Sequence, residues 1–105
     1  MHRLIEMLVT GDYEGLERAS RGRRLTAEQL RQAVEEYGRE LRMPPKAEFS
    51  NLDWHEIGDS HPRSWWVLVD LWTVEEGRSD LTLELRLTET GGQQYDLEID
   101  NLHVL

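Results

Sequence analysis

From Trp65 to Leu105 apolar and polar positions alternate with a period of two, which predicts three β-strands. Trp65, Val67, Val69 and Leu71 fall on one face of the first strand. Leu81, Leu83, Leu85 and Leu87 fall on the matching face of the second, and Tyr95, Leu97 and Ile99 on that of the third. This face is read as core. The opposite face carries Trp66, Leu68, Asp70 and Trp72, then Thr82, Glu84 and Arg86, then Asp96, Glu98 and Asp100. The third strand changes phase between Ile99 and Leu102, which predicts a bulge at Asp100-Asn101.

Helical spacing dominates the other half. Leu4, Ile5, Leu8 and Val9 form one stripe over residues 3–10. Gly11 ends that helix, and Asp12 caps a short second one from Tyr13 to Ala19 with Leu16 inward. Thr26 opens a third, because Thr26 and Gln29 fit a capping box. Leu30, Ala33, Val34, Tyr37 and Leu41 follow on one side. Gly38 can end this helix and Pro44-Pro45 must. Residues 46–57, with Phe49, Leu52, Trp54 and Ile57, read as an irregular edge strand, and residues 58–64 as a polar loop. The expected fold is α+β: N-terminal helices packed on one face of a four-stranded antiparallel meander. One domain over 1–105 is expected, with a helical half (1–43) and a sheet half (46–105).

Turn parity extends this reading. Residues directly opposite on antiparallel strands share a face. A three-residue turn at Thr90–Gly92 opposes Leu87 to Tyr95, and one at Glu76-Gly77-Arg78 keeps the same parity. Asp70, Glu84 and Glu98 then form a cross-strand row of carboxylates about 5 Å apart. Like charges so placed destabilise a sheet slightly, so the row invites a cationic partner, a raised carboxylate pKa for acid/base work, or splaying into solvent with Arg86 neutralising a neighbour.

Charge sharpens the picture. Residues 1–46 carry nine Lys/Arg and eight Asp/Glu, a net of +1. Residues 47–105 carry three Arg and thirteen Asp/Glu, a net of −10. An acidic sheet half repels nucleic-acid phosphates and favours a basic partner. Eleven of the twelve basic residues are Arg, a bias that fits a GC-rich bacterial genome. The chain has no cysteine, which removes disulfides and thiolate metal sites and fits a reducing cytosol. Its longest apolar run, Trp65 to Val69, is too short to span a bilayer. Residues 1–10 lack the pattern of a signal peptide. A cytoplasmic location is expected, with no membrane association.

No catalytic motif emerges. His55, Asp59 and His61 lack the spacing of a zinc site, and Gly91-Gly92 is a hairpin turn rather than a phosphate loop. No metal, cofactor or catalytic residue is therefore expected. Arg18, Arg21, Arg23 and Arg24 form a basic cluster, read as a solvated loop or as a contact for an anion or an acidic partner. Trp54, Trp65, Trp66 and Trp72 are a heavy aromatic load; Trp65 is assigned to the core.

Two segments resemble known families. The opening Leu4-Ile5-Glu6-Met7-Leu8-Val9-Thr10-Gly11-Asp12-Tyr13 with Leu16 is similar to the first helices of NTF2-like and cystatin-like proteins, which lead into a curved meander. The segments Arg78 to Leu85 and Tyr95 to Leu105 resemble a small bacterial domain family of unknown function. The first likeness implies an architecture and the second imports no activity.

The functional expectation is a non-enzymatic protein-binding domain. Trp66, Asp70, Trp72, Glu84, Arg86, Asp96 and Glu98 would receive a basic partner, a toxin being one such target. The rival expectation is a small-molecule site or NTF2-like enzyme with a pocket between helices and sheet, using Asp70, Glu84 or Tyr95. A homodimer formed through Trp66 and Trp72 is a third.

Overall fold

A computed structural model describes residues 1–49, 52–59, 61–91 and 94–104. The elements run α1 (His2–Thr10), α2 (Tyr13–Ala19), α3 (Ala27–Tyr37), β1 (Leu41–Arg42), α4 (Lys46–Phe49), β2 (Asp53–Glu56), β3 (Ser64–Thr73), β4 (Gly77–Gly91) and β5 (Gln94–Val104). The fold is α+β, with an antiparallel sheet and mostly N-terminal helices. Among the described residues no helix is long and apolar enough to cross a membrane.

The helices start and stop where their local chemistry dictates. Gly11, at φ 81°, closes α1 in the left-handed conformation that glycine adopts without strain. The Asp12 carboxylate accepts the Gly15 amide at 3.0 Å and opens α2. Thr26 and Gln29 complete the capping box: Gln29 N donates to the Thr26 hydroxyl, and Thr26 N to Gln29 Oε1. Gly38 then ends α3.

The sheet runs β1-β3-β4-β5, and β2 also pairs with β3, on the stretch Trp65–Leu68 that β1 leaves free. It therefore has five strands where four are expected. The expected strand over 46–57 splits into α4 and β2, and Leu41–Arg42 adds a two-residue strand. Ser50 and Asn51 of that segment, Ser60 of the polar loop, Gly92 of the far turn and the strand end at Leu105 lie outside the described residues.

Ile5, Leu8, Leu16 and Leu30 from the helices bury against Val67, Val69, Leu71, Leu83, Leu85, Ile99 and Leu102 from the sheet. Each such side chain contributes about 1.5–3 kcal/mol on burial. The helical layer is shorter than the sheet: at roughly 1.5 Å per helical residue and 3.3 Å per strand residue, α3 cannot span β4. The far end of the leucine face is therefore left open. Trp65 is half-buried rather than core and Tyr95 is 54% exposed; the two rings meet edge-on at 5.7 Å.

Both hairpin registers differ from expectation: β3–β4 by four residues beside its turn and by two beyond an irregularity, and β4–β5 by two up to its bulge. Thr73 pairs with Gly77, and Asp70 pairs with Thr82, so β4 holds two extra residues opposite Leu71. Ser79 repairs the irregularity: its hydroxyl donates to the Leu71 carbonyl at 2.8 Å and accepts from the Leu81 amide at 3.2 Å. At the other end Leu87 pairs with Leu97 and Glu89 with Tyr95. The β5 bulge occurs where the phase change predicts it, between the pairs Leu85–Ile99 and Glu84–Asn101.

Candidate interaction face and cleft

The buried residues of α1, α2 and α3 pack on the leucine face; on the opposite face Trp66 and Asp70 are exposed, while Thr82 is buried and Glu48 of α4 reaches Arg78 at 2.8 Å. The carboxylate row does not form there. Asp70 lies opposite Thr82; Glu84 lies between Leu68 and Asn101; Glu98 lies opposite Arg86, which faces Trp66. A slip of two residues keeps every leucine on the core side, so core parity cannot detect it. It also replaces like-charge pairs with an opposite-charge pair and neutral neighbours. Thr82 donates to Asp70 Oδ1 at 3.2 Å.

The expected residues divide into two groups. Asp96 and Glu98, on β5, are occupied by the loop between α2 and α3. Arg23 forks onto Asp96 with Nη1 at 2.7 Å and Nη2 at 2.8 Å, and Nη2 also donates to the Leu97 carbonyl on the outer edge of β5. Glu98 Oε1 is 3.5 Å from Arg23 Nη1, and Asp100 Oδ1 is 3.0 Å from Arg24 Nε. The bidentate hydrogen bond that Arg23 donates to Asp96 holds the Asp96 carboxyl below its ordinary pKa and raises the Arg23 guanidinium above its own. Arg21 and Arg24 take positive φ, 59° and 71°, a conformation that costs a non-glycine residue free energy. Arg21, Arg23 and Arg24 of the basic cluster thus clasp the sheet edge rather than standing free in solvent.

Trp66, Asp70, Trp72, Glu84 and Arg86 lie on β3 and β4. Trp66 is 49% exposed, and the Arg86 guanidinium sits 5.8 Å from its ring. Trp72 is half-buried under Arg42, 5.6 Å away. Asp70 and Glu84 meet no arginine or lysine among the described residues; the nearest basic side chain to Glu84 is His103, with Nε2 3.2 Å from its carboxylate.

Beside Trp66 the face dips into a cleft of ≈ 320 Å³ lined by His55, Trp66, Leu68, Glu84, Leu85 and Asp100. Pairing of β2 with β3 brings His55 opposite Trp66, and the β5 bulge brings in Asp100. Three buried polar atoms around it lack an aligned hydrogen-bond partner: Arg86 Nε, Asp100 Oδ1 and His103 Nε2. Their neighbours are close in distance but misdirected, which is uncommon for buried polar groups. A second cavity, ≈ 340 Å³, lies between α3 and the ends of β4 and β5 and is lined in part by Tyr37, Leu81 and His103, without Asp70, Glu84 or Tyr95.

Sequence reasoning named Trp66 and Glu84 of this cleft, left out Leu68 and assigned Leu85 to the core, and it missed His55, which belongs to the cleft only through β2, and Asp100, whose place depends on the bulge. Among the described residues no group of three His, Asp or Glu side chains is placed to hold a metal ion. Comparison with curated proteins and with solved structures gives no match. Over residues 5–105 the chain matches the family described as Domain of unknown function (DUF7668), and it belongs to that family.

Proposed function

We propose that this domain is a non-enzymatic protein-binding module whose open sheet face receives a basic partner. One observation carries the reading: a half-exposed tryptophan, Trp66, lies on a face where, among the described residues, Asp70 and Glu84 meet no arginine or lysine and Glu84 has a histidine beside it. An aromatic anchor beside un-neutralised carboxylates supplies both contact area and charge complementarity. The β5 carboxylates contribute less, because the arginine loop already satisfies them. A basic toxin held and neutralised by this face in a bacterial cytoplasm is the specific form we put forward.

The test is affinity capture from the native host with the wild-type chain, Trp66→Ser, Glu84→Arg and the α3 control Glu36→Arg. A partner retained by the wild type and the control but lost from both face variants supports the reading. A partner held equally by all four places the interface elsewhere and overturns it.

A further inference from the structure

We infer that the cleft beside Trp66 is a receptor for a single guanidinium group, so that the partner docks by inserting an arginine side chain. This rests on the protein-binding reading above and narrows it to one chemical group. The first argument is shape. At ≈ 320 Å³ the cleft sits at the small end of ligand-site volumes, about 300–1,000 Å³. Trp66 and His55 supply aromatic surface, Leu68 apolar surface, and Glu84 and Asp100 supply acceptors. Guanidinium is planar, so it can stack on an indole while its fork of N–H donors reaches a carboxylate.

The second argument is charge. Asp100 is approached by Arg24 and Arg86 and is already compensated. Among the described residues Glu84 has a histidine as its one basic neighbour, and Asp53 opposite Leu68 likewise has His55, at 2.8 Å. The local balance thus remains negative with Arg86 counted. Trp66 keeps half its surface exposed with Arg86 in place, so a second cation still finds ring area.

The third argument is the chain's own usage. Arg42, Arg63 and Arg86 each sit over a tryptophan, at 5.6, 5.0 and 5.8 Å, and Arg23 forks onto Asp96. This sheet already solves both halves of guanidinium recognition internally. The cleft offers both halves together.

The probe is blocked arginine, N-acetyl-arginine methylamide, titrated into the isotope-labelled full chain and followed at the Trp66 indole N–H. Blocked citrulline serves as the neutral isostere and blocked lysine as the compact cation. The expected result is a saturable shift with arginine that is at least about tenfold weaker with lysine and absent with citrulline. Glu84→Gln, whose fold is checked by unchanged β4 and β5 amide shifts, should weaken arginine binding by a similar factor. Equal shifts from citrulline, or an arginine effect that never saturates at Trp66, overturn the inference. A captured partner that depends on Trp66 while blocked arginine leaves Trp66 unmoved overturns the cleft and leaves the protein-binding reading standing. Saturation by arginine in a chain whose partner ignores Trp66 and Glu84 does the reverse.

Discussion

The β5 edge and the β3–β4 centre of the open face carry similar acidic residues but differ in what answers them. On β5, Asp96, Glu98 and Asp100 are met by arginines from a loop 73 or more residues away in sequence. At the centre, among the described residues, Asp70 and Glu84 are met by a threonine and a histidine and by no arginine or lysine. Counting carboxylates would rank β5 as the stronger site for a cation. Accounting for partners reverses the ranking, because a carboxylate already in a bidentate pair has little left to offer another cation. The loop on β5 acts as a built-in occupant, and it shows what chemistry this face accepts.

The largest expected effect comes from removing that occupant. Arg23→Ala deletes both hydrogen bonds to Asp96, the bond to Leu97 O and the link from Nε to Ser20 O. It leaves adjacent carboxylates facing each other and bares the edge of β5. Melting temperature should fall clearly, and amide exchange should accelerate first along β5. An unchanged melting temperature would show that the clasp is incidental, and the contrast between the two regions would lose its structural basis.

Acid titration gives a smaller effect with a defined sign. Arg23 lowers the Asp96 pKa from an ordinary value of 3.8, and Arg63 lowers that of Glu56 from 4.5. A carboxyl with a depressed folded pKa stabilises the fold above its unfolded pKa and loses that contribution as pH falls through the folded value. The stability gap between wild type and Arg23→Ala, read from urea unfolding, should be full at pH 7. It should shrink as pH drops below about 4. A gap constant down to pH 2 would mean that Arg23 acts through packing rather than through Asp96.

What the sequence made legible was local. Asp12, Thr26 with Gln29, and Gly38 announced helix ends because caps depend on neighbours in sequence. The bulge at Asp100 was legible because a phase change must be absorbed somewhere. Register was not legible: moving either hairpin by two residues leaves the leucines on one face, so hydrophobic pattern is blind to it. The β4 irregularity opposite Leu71 shows why turn length alone could not supply the answer. The clasp was out of reach for a different reason. Arg23 and Asp96 belong to separate halves, and only the packed fold shows that the α2–α3 loop passes the β5 edge. The cleft shares that limit, since His55 reaches Trp66 only through the pairing of β2 with β3.

At the open centre, stability effects should be small and binding effects large. Trp66→Ser removes a half-exposed ring and its contact with Arg86. Cross-strand pairs of this kind contribute about 0.2–1 kcal/mol, so urea unfolding should shift by no more than that. A larger loss would mean that Trp66 is a structural member of the sheet, and the distinction between a closed edge and an open centre would fail from the other side.

Glu84→Arg should disturb the fold least. Its side chain is 31% exposed, and its cross-strand neighbours Leu68 and Asn101 carry no charge. The change gives up the contact with His103 and places a cation near Arg86, but it also relieves part of a formal net charge of −9. These terms oppose each other, and a change within about 0.5 kcal/mol is expected. Binding should respond differently: a fixed cation at the cleft repels the group the cleft is built to take, and such juxtaposition costs several kcal/mol in affinity. Raising salt should recover part of that loss, because charges on an open face are screened within a Debye length of about 8–10 Å. A binding loss indifferent to salt would place Glu84 in a sealed, desolvated contact rather than on an open face.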